Sequence, residues 1–374
     1  MSVPAARPDP AAAWMPRPTL PGHAYHDPAV WAEEQERIFA AEWICVGREE
    51  ELPAPGTYLV RDVAQESVLL TRAKDGTLAA LFDTCTHRGT RLLDGQGELR
   101  SGVIKCPYHS WTFSAAGELL ATPNVAAGDG FDRSTRPLWR LSLDTWNGFV
   151  FVNMSARPEP LRKSFARGME GDPTDLIARW GIGDLRIAHR ITYEAEANWK
   201  LIVENYSECL HCPGIHPELV KLVPLFRTGM VEGDEGAELA DGVVGFTRTG
   251  TTNRPPLPGL TERDRQIYMG NTLFPTAMIN LHADCVMSYR LEPTTPTHTR
   301  IVSEFLFHPD TIARADFDPS DVAEMWDIVS RQDWAVCERA QLGVRSRAYA
   351  GGGVYPFNDH SVAAFNDRYR ASMA

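Results

Sequence analysis

CTHRG (residues 85–89) and CPYHSW (residues 106–111) decide the fold of the first half of this chain. Each stretch supplies one thiol and one imidazole, and eighteen residues separate His87 from Cys106. The residues on either side form short β-branched or alternating runs with glycine and Asp-Gly between them. Such runs are typical of short strands joined by turns. The two stretches are therefore predicted to be neighbouring loops of a small β domain.

The thiol and imidazole side chains of these loops form a candidate metal site, made of Cys85, His87, Cys106 and His109. Two cysteines and two histidines are a common set for a structural zinc ion. The same set holds a Rieske [2Fe–2S] cluster, in which two thiolates bind one iron and two imidazoles bind the other. Loops without any metal are the remaining alternative. Zinc fingers usually group like with like, whereas each loop here supplies one residue of each type, and this arrangement favours the cluster.

Residues 43–155 carry the strand pattern and are predicted to be one small all-β domain. Ser67–Arg72 and Thr77–Phe82 lie on either side of an Asp-Gly turn, which indicates a hairpin. Gly148–Asn153 is short, apolar and β-branched, as expected of a buried strand. The candidate metal site thus lies on loops between predicted strands.

The rest of the chain predicts a mixed α+β domain, residues 156–374. The longest helical pattern covers Asp321–Leu342, and a strand is predicted over Ala277–Leu291. Residues 232–265 are rich in glycine, threonine, proline and charge, so we expect a long loop or lid there. Residues 1–42, which begin rich in proline and alanine, are expected to pack on the 156–374 domain.

Composition limits the class of protein. The chain has 374 residues, enough for two domains, and its 43% hydrophobic and 23% charged residues are typical of globular proteins. A net charge of −12 argues against a nucleic-acid partner, because phosphate binding needs a surplus of lysine and arginine. No run approaches the ~20 apolar residues that cross a bilayer, and the N-terminus lacks the layout of a signal peptide. We therefore expect a cytoplasmic protein outside the membrane.

A second constellation lies in NWKLIVENYSECLHCPGIH, residues 198–216. His211 and His216 are five residues apart, so on one straight helix their side chains would point about 140° apart. They can meet only if the helix predicted over Trp199–Leu210 breaks between them. Pro213-Gly214 supplies a break, because the residue before a proline is driven out of the helical conformation. Two histidines folded around a helix break form a candidate metal site.

Asp333 is the candidate third ligand of that site. It lies on the apolar stripe of the longest helical pattern, with an apolar residue four positions away on either side. A carboxylate on a buried face is costly unless it is paired with a positive charge or bound to a metal. With His211 and His216 it would complete the two-histidine, one-carboxylate set of Fe(II) oxygenases. The alternative is an ion pair with a neighbouring arginine, Arg331 or Arg339.

These motifs resemble those of the Rieske non-heme iron oxygenases. Beside CTHRG and CPYHSW, the family has an acidic residue, two spacers, histidine, four spacers and histidine, with a distant carboxylate. This chain has that pattern at Glu208, His211, His216 and Asp333. The resemblance covers roughly residues 30 to 370. It implies a Rieske cluster on the first constellation, with a potential raised by its imidazole ligands, and a mononuclear Fe(II) on the second.

The resemblance assigns further roles. In this family the residue at the position of Glu208 bridges a Rieske histidine of one subunit to an iron histidine of its neighbour, so a head-to-tail homotrimer is expected. Most members have aspartate there, and glutamate is typical of the branch that acts on quaternary ammonium compounds. A solvated glutamate on a helix surface is the alternative for Glu208. Asn205 is expected near the open face of the iron, and a helix-grip catalytic domain is expected around an antiparallel sheet.

Electrons must reach the two sites from outside the chain. Gly351–Gly353 follows no predicted strand and opens no helix, so no dinucleotide-binding fingerprint is present in the sequence. NAD(P)H is therefore expected to act only indirectly, through a separate reductase, with or without a ferredoxin. O₂ and a small organic substrate are the other expected reactants. Monooxygenation and dioxygenation are both compatible with this pair of sites.

The segment ENYSECLHCPGIHP, residues 204–217, is similar to the glycine-betaine, stachydrine and carnitine oxygenases. That similarity implies hydroxylation of an N-methyl group or a neighbouring carbon, with loss of formaldehyde when the N-methyl group is the target. A cationic substrate should contact aromatic faces, and the candidates, each of which could instead be core, are Tyr206, Phe226, Phe274 and Tyr289. One alternative is hydroxylation or O-demethylation of an aromatic or natural-product substrate. Another is an electron-transfer or redox-sensing protein without oxygenase activity.

The seven cysteines form no regular framework, so no disulfide scaffold is expected. Cys209 and Cys212 flank His211, and we expect them to pack as small apolar residues rather than to bind metal. The three cysteines without histidine neighbours are expected to do the same.

Overall fold

The computed structural model of the chain describes residues 15–125, 130–167, 177–230 and 236–374. Contacts divide it into two compact units. The β unit consists of Ala32–Arg186 with Leu273–Ala277. The α+β unit consists of the described residues up to Trp31 with Ile187–Thr272 and Met278–Ala374. The first fourteen residues of the N-terminal segment lie outside the described part of the chain.

The described part of the β unit contains three antiparallel sheets. The first sheet has the strand order Ser142–Trp146, Phe149–Asn153 and Ile44–Arg48. The second has the order Leu78–Phe82, Glu66–Arg72, Thr57–Val63 and Gln96–Glu98. The third has the order Val103–Lys105, Thr112–Ser114 and Leu119–Ala121. The predicted hairpin is confirmed, with Thr71 opposite Ala79. The predicted buried strand is confirmed as Phe149–Asn153, in which every residue is buried.

The largest sheet has six strands. Their order is Arg186–Ala195, His298–Phe307, Val286–Thr295, Ala277–Leu281, Ile267–Leu273 and Ala237–Glu238. The single strand predicted over Ala277–Leu291 is wrong, because a turn at residues 282–285 divides it in two. All residues from Ala277 to Leu291 are buried, so hydrophobicity alone could not show where the chain turns. The turn is closed by the His282 N–H, which donates to the Cys285 carbonyl at 3.1 Å.

The α-helices in the described part of the chain are Pro28–Glu34, Leu161–Ala166, Trp199–Tyr206, Cys212–Ile215, Leu219–Leu222, Pro309–Ile312, Ser320–Gly343 and His360–Met373. The longest of them, hereafter the long helix, confirms the helix predicted over Asp321–Leu342. Just before this helix, Asp318 accepts a hydrogen bond from the Ser320 N–H at 2.8 Å, as in the turns that precede many helices. Within the described residues, no helix has the length and apolar character needed to cross a membrane.

The predicted long loop is confirmed in its described part. From residue 236 to 263 the only regular element is the two-residue strand Ala237–Glu238. Buried Arg254 anchors this loop: its Nε lies 2.9 Å from Asp284 and its Nη1 lies 2.6 Å from Asp321. A buried guanidinium needs such partners to offset its desolvation. The loop is thereby tied to the turn of the large sheet and to the start of the long helix.

A partly buried carboxyl group lies on the helix Trp199–Tyr206. Oε1 of Glu204 accepts hydrogen bonds from the Tyr25 hydroxyl at 2.9 Å and from the Asn366 amide at 2.7 Å. Burial raises the pKa of Glu204 to about 7, although both hydrogen bonds oppose this shift. The ordinary pKa of a glutamate in an unfolded chain is about 4.3. Ionisation of Glu204 therefore penalises the folded state.

We expect Glu204→Gln to flatten the pH dependence of stability. The pKa of Glu204 is higher in the folded than in the unfolded chain. The contribution of Glu204 to the free energy of unfolding is therefore complete below about pH 4.5 and is lost as the pH rises through about 7. Each unit of pKa shift corresponds to about 1.4 kcal/mol. Thermal unfolding at pH 5 and pH 8 should show a stabilised variant only at pH 8. Glu196→Gln, at an exposed position, is the control. If Glu204→Gln were equally stabilised at pH 5 and pH 8, the expectation would be contradicted.

Candidate metal centres

The two cysteine–histidine loops share one backbone pattern. The Cys85 carbonyl accepts a hydrogen bond from the Gly89 N–H at 2.9 Å, and the Cys106 carbonyl accepts one from the Ser110 N–H at 3.1 Å. The φ angle is 72° at Gly89 and 61° at Ser110, both in the left-handed region that lets a chain turn back sharply. Both loops therefore close in the same way just after their metal-candidate residues.

The loops bring their four predicted ligands together. Cys85 and Cys106 are both buried, and the ring centroids of His87 and His109 are 4.7 Å apart. Burial raises the pKa of the Cys85 thiol, and the adjacent Cys106 thiol adds to the shift. Nδ1 of His109 is buried without a hydrogen-bond partner in the described part of the chain. Two adjacent thiols and an unpartnered ring nitrogen fit the donor set of a Rieske cluster.

A buried carboxylate holds the start of the first loop. Asp83 accepts hydrogen bonds from the N–H groups of Leu92 and Leu93 at 3.2 and 3.1 Å. Burial raises the pKa of Asp83, and these hydrogen bonds oppose the shift. His87 is exposed and stacks on the Trp111 indole, with centroids 4.5 Å apart. One candidate imidazole ligand is therefore presented at the surface of the β unit.

The second constellation begins where the helix Trp199–Tyr206 ends. The helix was predicted to reach Leu210, but it ends four residues earlier, and the break precedes Pro213. The Ser207 hydroxyl donates to the Val203 carbonyl at 2.7 Å. Such a bond from a side chain competes with the backbone and satisfies a carbonyl at a helix end. The predicted break is therefore real, but its position in the sequence analysis was wrong.

Pro213 starts a helix rather than ending one. It lies in the first turn of the short helix Cys212–Ile215, where its missing N–H leaves no hydrogen bond unmade. His211 is the residue before this helix and His216 the residue after it. One turn of helix thus separates the two histidines and sets the distance between them.

His211, His216 and Asp333 converge. Nε2 of His211 is 3.1 Å from Nε2 of His216, and Oδ1 of Asp333 is 2.8 Å from His216 Nε2 and 3.3 Å from His211 Nε2. Three donors bound at right angles, each about 2.1 Å from one ion, are about 3 Å from one another. The spacing and the chemistry of these donors therefore fit a mononuclear iron with one open face.

The charges around the site favour a cation. Burial would raise the pKa of Asp333, but hydrogen bonds from the two histidines lower it. Burial would lower the pKa of His211, but Asp333 and Glu208 raise it to about 9. The alternative partner Arg331 pairs with Asp327 instead, at 2.8 Å. The two carboxylates thus attract positive charge to the position between the histidines.

Glu208 is directed at the site rather than at solvent. Its Oε1 is 2.6 Å from Nδ1 of His211, and its side chain is 16% exposed. Its Oε2 accepts a hydrogen bond from the Leu210 N–H. The solvated alternative for this residue is therefore wrong, and the carboxylate orients the ring whose other nitrogen faces Asp333.

Cys209 and Cys212 correct the sequence analysis. They form a disulfide with each other, whereas we expected unbonded apolar packing. The turn that follows the helix Trp199–Tyr206 brings their Cα atoms to 4.9 Å, within the range that a disulfide requires. The Cys212 sulfur lies 3.9 Å from Nε2 of His211. It is a neighbour of the site, but a bonded sulfur is not a thiolate ligand.

Two polar residues near the site differ in their contacts. Asn205 lies on the last turn of the helix Trp199–Tyr206, and in the described residues no hydrogen bond joins it to the three candidate ligands. Gln332, which the sequence analysis missed, places Oε1 2.7 Å from Nδ1 of His216. The only signal for Gln332 in the sequence was its position beside Asp333.

The four aromatic candidates differ in their contacts. Tyr206 and Tyr289 meet edge to face, with ring centroids 6.3 Å apart. Phe226 packs edge-on against Tyr268, 5.7 Å away. Phe274 is buried and belongs to the β unit, whereas the other three belong to the α+β unit. The Tyr289 hydroxyl is 2.6 Å from the Ser330 hydroxyl, one helical turn from Asp333.

An aromatic cluster beside these residues was not predicted from the sequence. Phe246, from the long loop, stacks on Trp326 at 5.2 Å and on Tyr268 at 5.3 Å, and contacts His282 at 4.5 Å. Nε1 of Trp326 donates to Nε2 of His282 at 3.1 Å. Burial lowers the pKa of His282 to about 3, and the charge of Arg254 contributes to this shift. The imidazole is therefore neutral at physiological pH.

Two family models match this chain. Residues 42–142 match the Rieske [2Fe-2S] domain. Residues 182–374, just over half of the chain, match the catalytic domain of the ring hydroxylating alpha subunit. These matches confirm the predicted fold class, an all-β Rieske domain with an α+β catalytic domain.

Relatives of known activity match over nearly the whole chain. The glycine betaine monooxygenase oxygenase subunit of Chromohalobacter salexigens is 29% identical over 95% of this chain and 86% of its own length. The carnitine monooxygenase oxygenase subunit of Acinetobacter baumannii is 31% identical over 92% of this chain and 89% of its own. This chain also matches the solved structure of a quaternary ammonium Rieske monooxygenase with a TM-score of 0.75. That structure gives insights into carnitine oxidation and inter-subunit electron transfer in that protein. It is 28% identical and covers 95% of both chains.

Proposed function

Because the chain belongs to the Rieske non-heme iron oxygenases, we propose that it is an oxygenase component that demethylates a quaternary ammonium compound such as a betaine. Its family makes it an oxidoreductase that carries a Rieske [2Fe–2S] cluster and a mononuclear iron. When bound, the cluster passes single electrons and the iron activates O₂. A separate NAD(P)H-dependent reductase supplies the electrons.

Each group is assigned to one constellation. Cys85 and Cys106 would hold one iron of the cluster, and His87 and His109 the other. The proposed Rieske domain spans residues 43–155 and the catalytic domain residues 156–374, and residues 15–31 belong to the same compact unit as most of the catalytic domain. The family matches at residues 42–142 and 182–374 support these boundaries.

His211, His216 and Asp333 would hold the mononuclear iron. The single observation that carries this assignment is that their donor atoms lie within 3.3 Å of one another, from two chain segments 117 residues apart. Asp333 balances part of the charge of the ion, and Glu208 orients His211 through Nδ1. The short helix between the histidines keeps their Nε2 atoms 3.1 Å apart, so that both could bind one ion.

Glu208 would also carry the link between subunits. Its carboxylate already holds His211 on one side, and a second acceptor lone pair can take a histidine N–H from a partner. A homotrimer would place the exposed His87 or the adjacent His109 of one subunit against Glu208 of the next. The inter-subunit electron transfer described for the solved relative supports this arrangement.

Aromatic side chains support a cationic substrate. Tyr206 and Tyr289 stand beside the helical turn that carries Asp333, through the bond between Tyr289 and Ser330. A quaternary ammonium group is attracted to such ring faces by about 1–2 kcal/mol for each contact. Neutral His282 extends the aromatic cluster without adding a repelling positive charge.

The proposed reaction balances as a monooxygenation. One O₂, two electrons and two protons convert an N-methyl group into N–CH₂OH and one water. The C–N bond of this product then breaks, so that formaldehyde and a tertiary amine are released with one proton. The chain holds the substrate cation, excludes water with its buried aromatic side chains and orients the iron ligands.

Iron content and formaldehyde release test the proposal. We expect three irons per chain in the reconstituted protein and formaldehyde release from a series of betaines and carnitines with a surrogate reductase. Two irons per chain would overturn the oxygenase assignment and leave an electron-transfer or redox-sensing protein. Three irons without formaldehyde across the series would overturn the substrate assignment and favour an aromatic or natural-product substrate. His216→Ala, which removes one proposed iron ligand, is the negative control for turnover.

A further inference from the structure

His216 is held at both ring nitrogens. The side chain is 1% exposed, and Nε2 faces Asp333 at 2.8 Å and His211 at 3.1 Å. On the other side, Nδ1 lies 2.7 Å from Oε1 of Gln332. An amide oxygen can only accept a hydrogen bond. Nδ1 therefore donates to this oxygen, and a neutral His216 then offers the lone pair of Nε2 to a metal.

The proposed metal site requires this orientation of the amide. If the amide were turned over, its NH₂ group would face Nδ1, and the proton of a neutral His216 would move to Nε2. That proton would point at Asp333 and block metal binding. Oxygen towards His216 is thus the only orientation of Gln332 compatible with a three-ligand site.

The two histidines differ in the charge of the group that contacts Nδ1 of the ring. His211 is held by the carboxylate of Glu208 at 2.6 Å, whereas His216 is held by a neutral amide. The site already contains two carboxylates, Glu208 and Asp333. A third would make His216 a more basic ligand and add charge where little solvent screens it. The amide gives orientation without that charge.

Gln332 and Asp333 come from one rigid element. Both lie in the middle of the long helix, beside Ser330, which is fully buried and bonded to Tyr289. Adjacent helix positions point about 100° apart. Gln332 can therefore reach Nδ1 of His216 while Asp333 reaches Nε2 of the same ring. A site on rigid elements holds its ligands more accurately than a site on loops.

We propose that Gln332 is a positioning residue of the mononuclear iron site, which fixes the Nδ1–H tautomer and ring angle of His216 without adding charge. This inference rests on the proposed function. It makes the long helix the source of both the carboxylate ligand and the group that orients a histidine ligand.

Substitution of Gln332 tests the inference through metal affinity. Gln332→Leu should weaken Fe(II) binding about 10- to 100-fold, as is usual when the partner of a metal-bound histidine is removed. Gln332→Glu keeps the accepting oxygen and should restore the affinity to that of the parent or tighten it. The dissociation constant is measured anaerobically by competition with a chelator, and the EPR spectrum of the nitric oxide adduct reports the symmetry of the site.

Gln341→Leu is the matched control on the same helix. Gln341 is buried and bonds the Asn198 N–H at 2.7 Å and the Tyr25 carbonyl at 3.2 Å. Its loss should lower the melting temperature and leave the Fe(II) dissociation constant unchanged. Unchanged affinity in Gln332→Leu, or an equal loss in both leucine variants, would overturn the inference. A parent protein that binds only two irons would instead overturn the proposed function. If the parent binds three irons, a negative result with the Gln332 variants counts against the inference about Gln332 alone.

Discussion

Asp333→Asn is expected to remove the mononuclear iron and leave the Rieske cluster in place. Asparagine keeps the shape of the side chain but loses the negative charge that balances the ion. Loss of an indirect partner of a metal ligand costs 10- to 100-fold in affinity, and loss of the ligand itself should cost at least about 100-fold. The result expected is two irons per chain, an unchanged visible spectrum of the cluster, and no measurable turnover.

Asp327→Asn is the matched control for this experiment. Asp327 is a carboxylate on the same helix, bonded to the Tyr193 hydroxyl at 2.9 Å and to Arg331 at 2.8 Å. Its substitution should lower stability slightly and leave three irons. If Asp333→Asn also retained three irons and its activity, Asp333 would not be a ligand and the carboxylate would have to come from another residue.

Glu208→Gln is expected to keep all three irons and to lose turnover. The glutamine oxygen still accepts from Nδ1 of His211, so the iron ligand stays oriented. Its NH₂ group cannot accept a hydrogen bond from the histidine of a partner subunit, so the link between subunits is broken. We expect a fall of about 100-fold in the rate at which a reduced cluster is reoxidised in the presence of O₂ and substrate.

Stopped-flow absorbance of the cluster measures this rate in a single turnover. Glu208→Asp is the control, because it keeps the carboxylate that most members of the family have at this position and should retain more of the rate. A Glu208→Gln variant that reoxidises at the parental rate would show that electrons reach the iron without this carboxylate. A variant that lost iron would show that Glu208 acts mainly by orienting His211.

The candidate ligands could be predicted from the sequence because their chemistry is local. Each cysteine–histidine loop carries its donors within five residues, and His211 and His216 lie within one turn of a break. Metal chemistry restricts such residue types to a few arrangements. The apolar stripe around Asp333 was also visible, since helix periodicity shows which side of a helix is buried.

The end of the helix at Tyr206 was not predictable in the same way. Trp199–Leu210 reads as continuous helix, and Pro213 is a strong stop signal. The structure ends the helix earlier, at the Ser207 hydroxyl bond, and lets Pro213 begin the next one. Local signals compete over a few residues, and tertiary contacts choose between outcomes of similar free energy.

The sequence by itself determined the two domain types and the family and indicated the candidate donor residues, because these depend on residue chemistry at short spacing. Only the tertiary structure decided that Gln332 contacts His216, across 116 residues of chain, and that Phe246 joins the aromatic cluster. It also decided that Glu208 points at His211 and that Cys209 bonds Cys212. The reason is physical, because a hydrogen bond of 2.7 Å or a ring contact depends on how distant segments pack. Periodicity in one segment shows which of its faces is buried, but it does not show which other segment packs against that face.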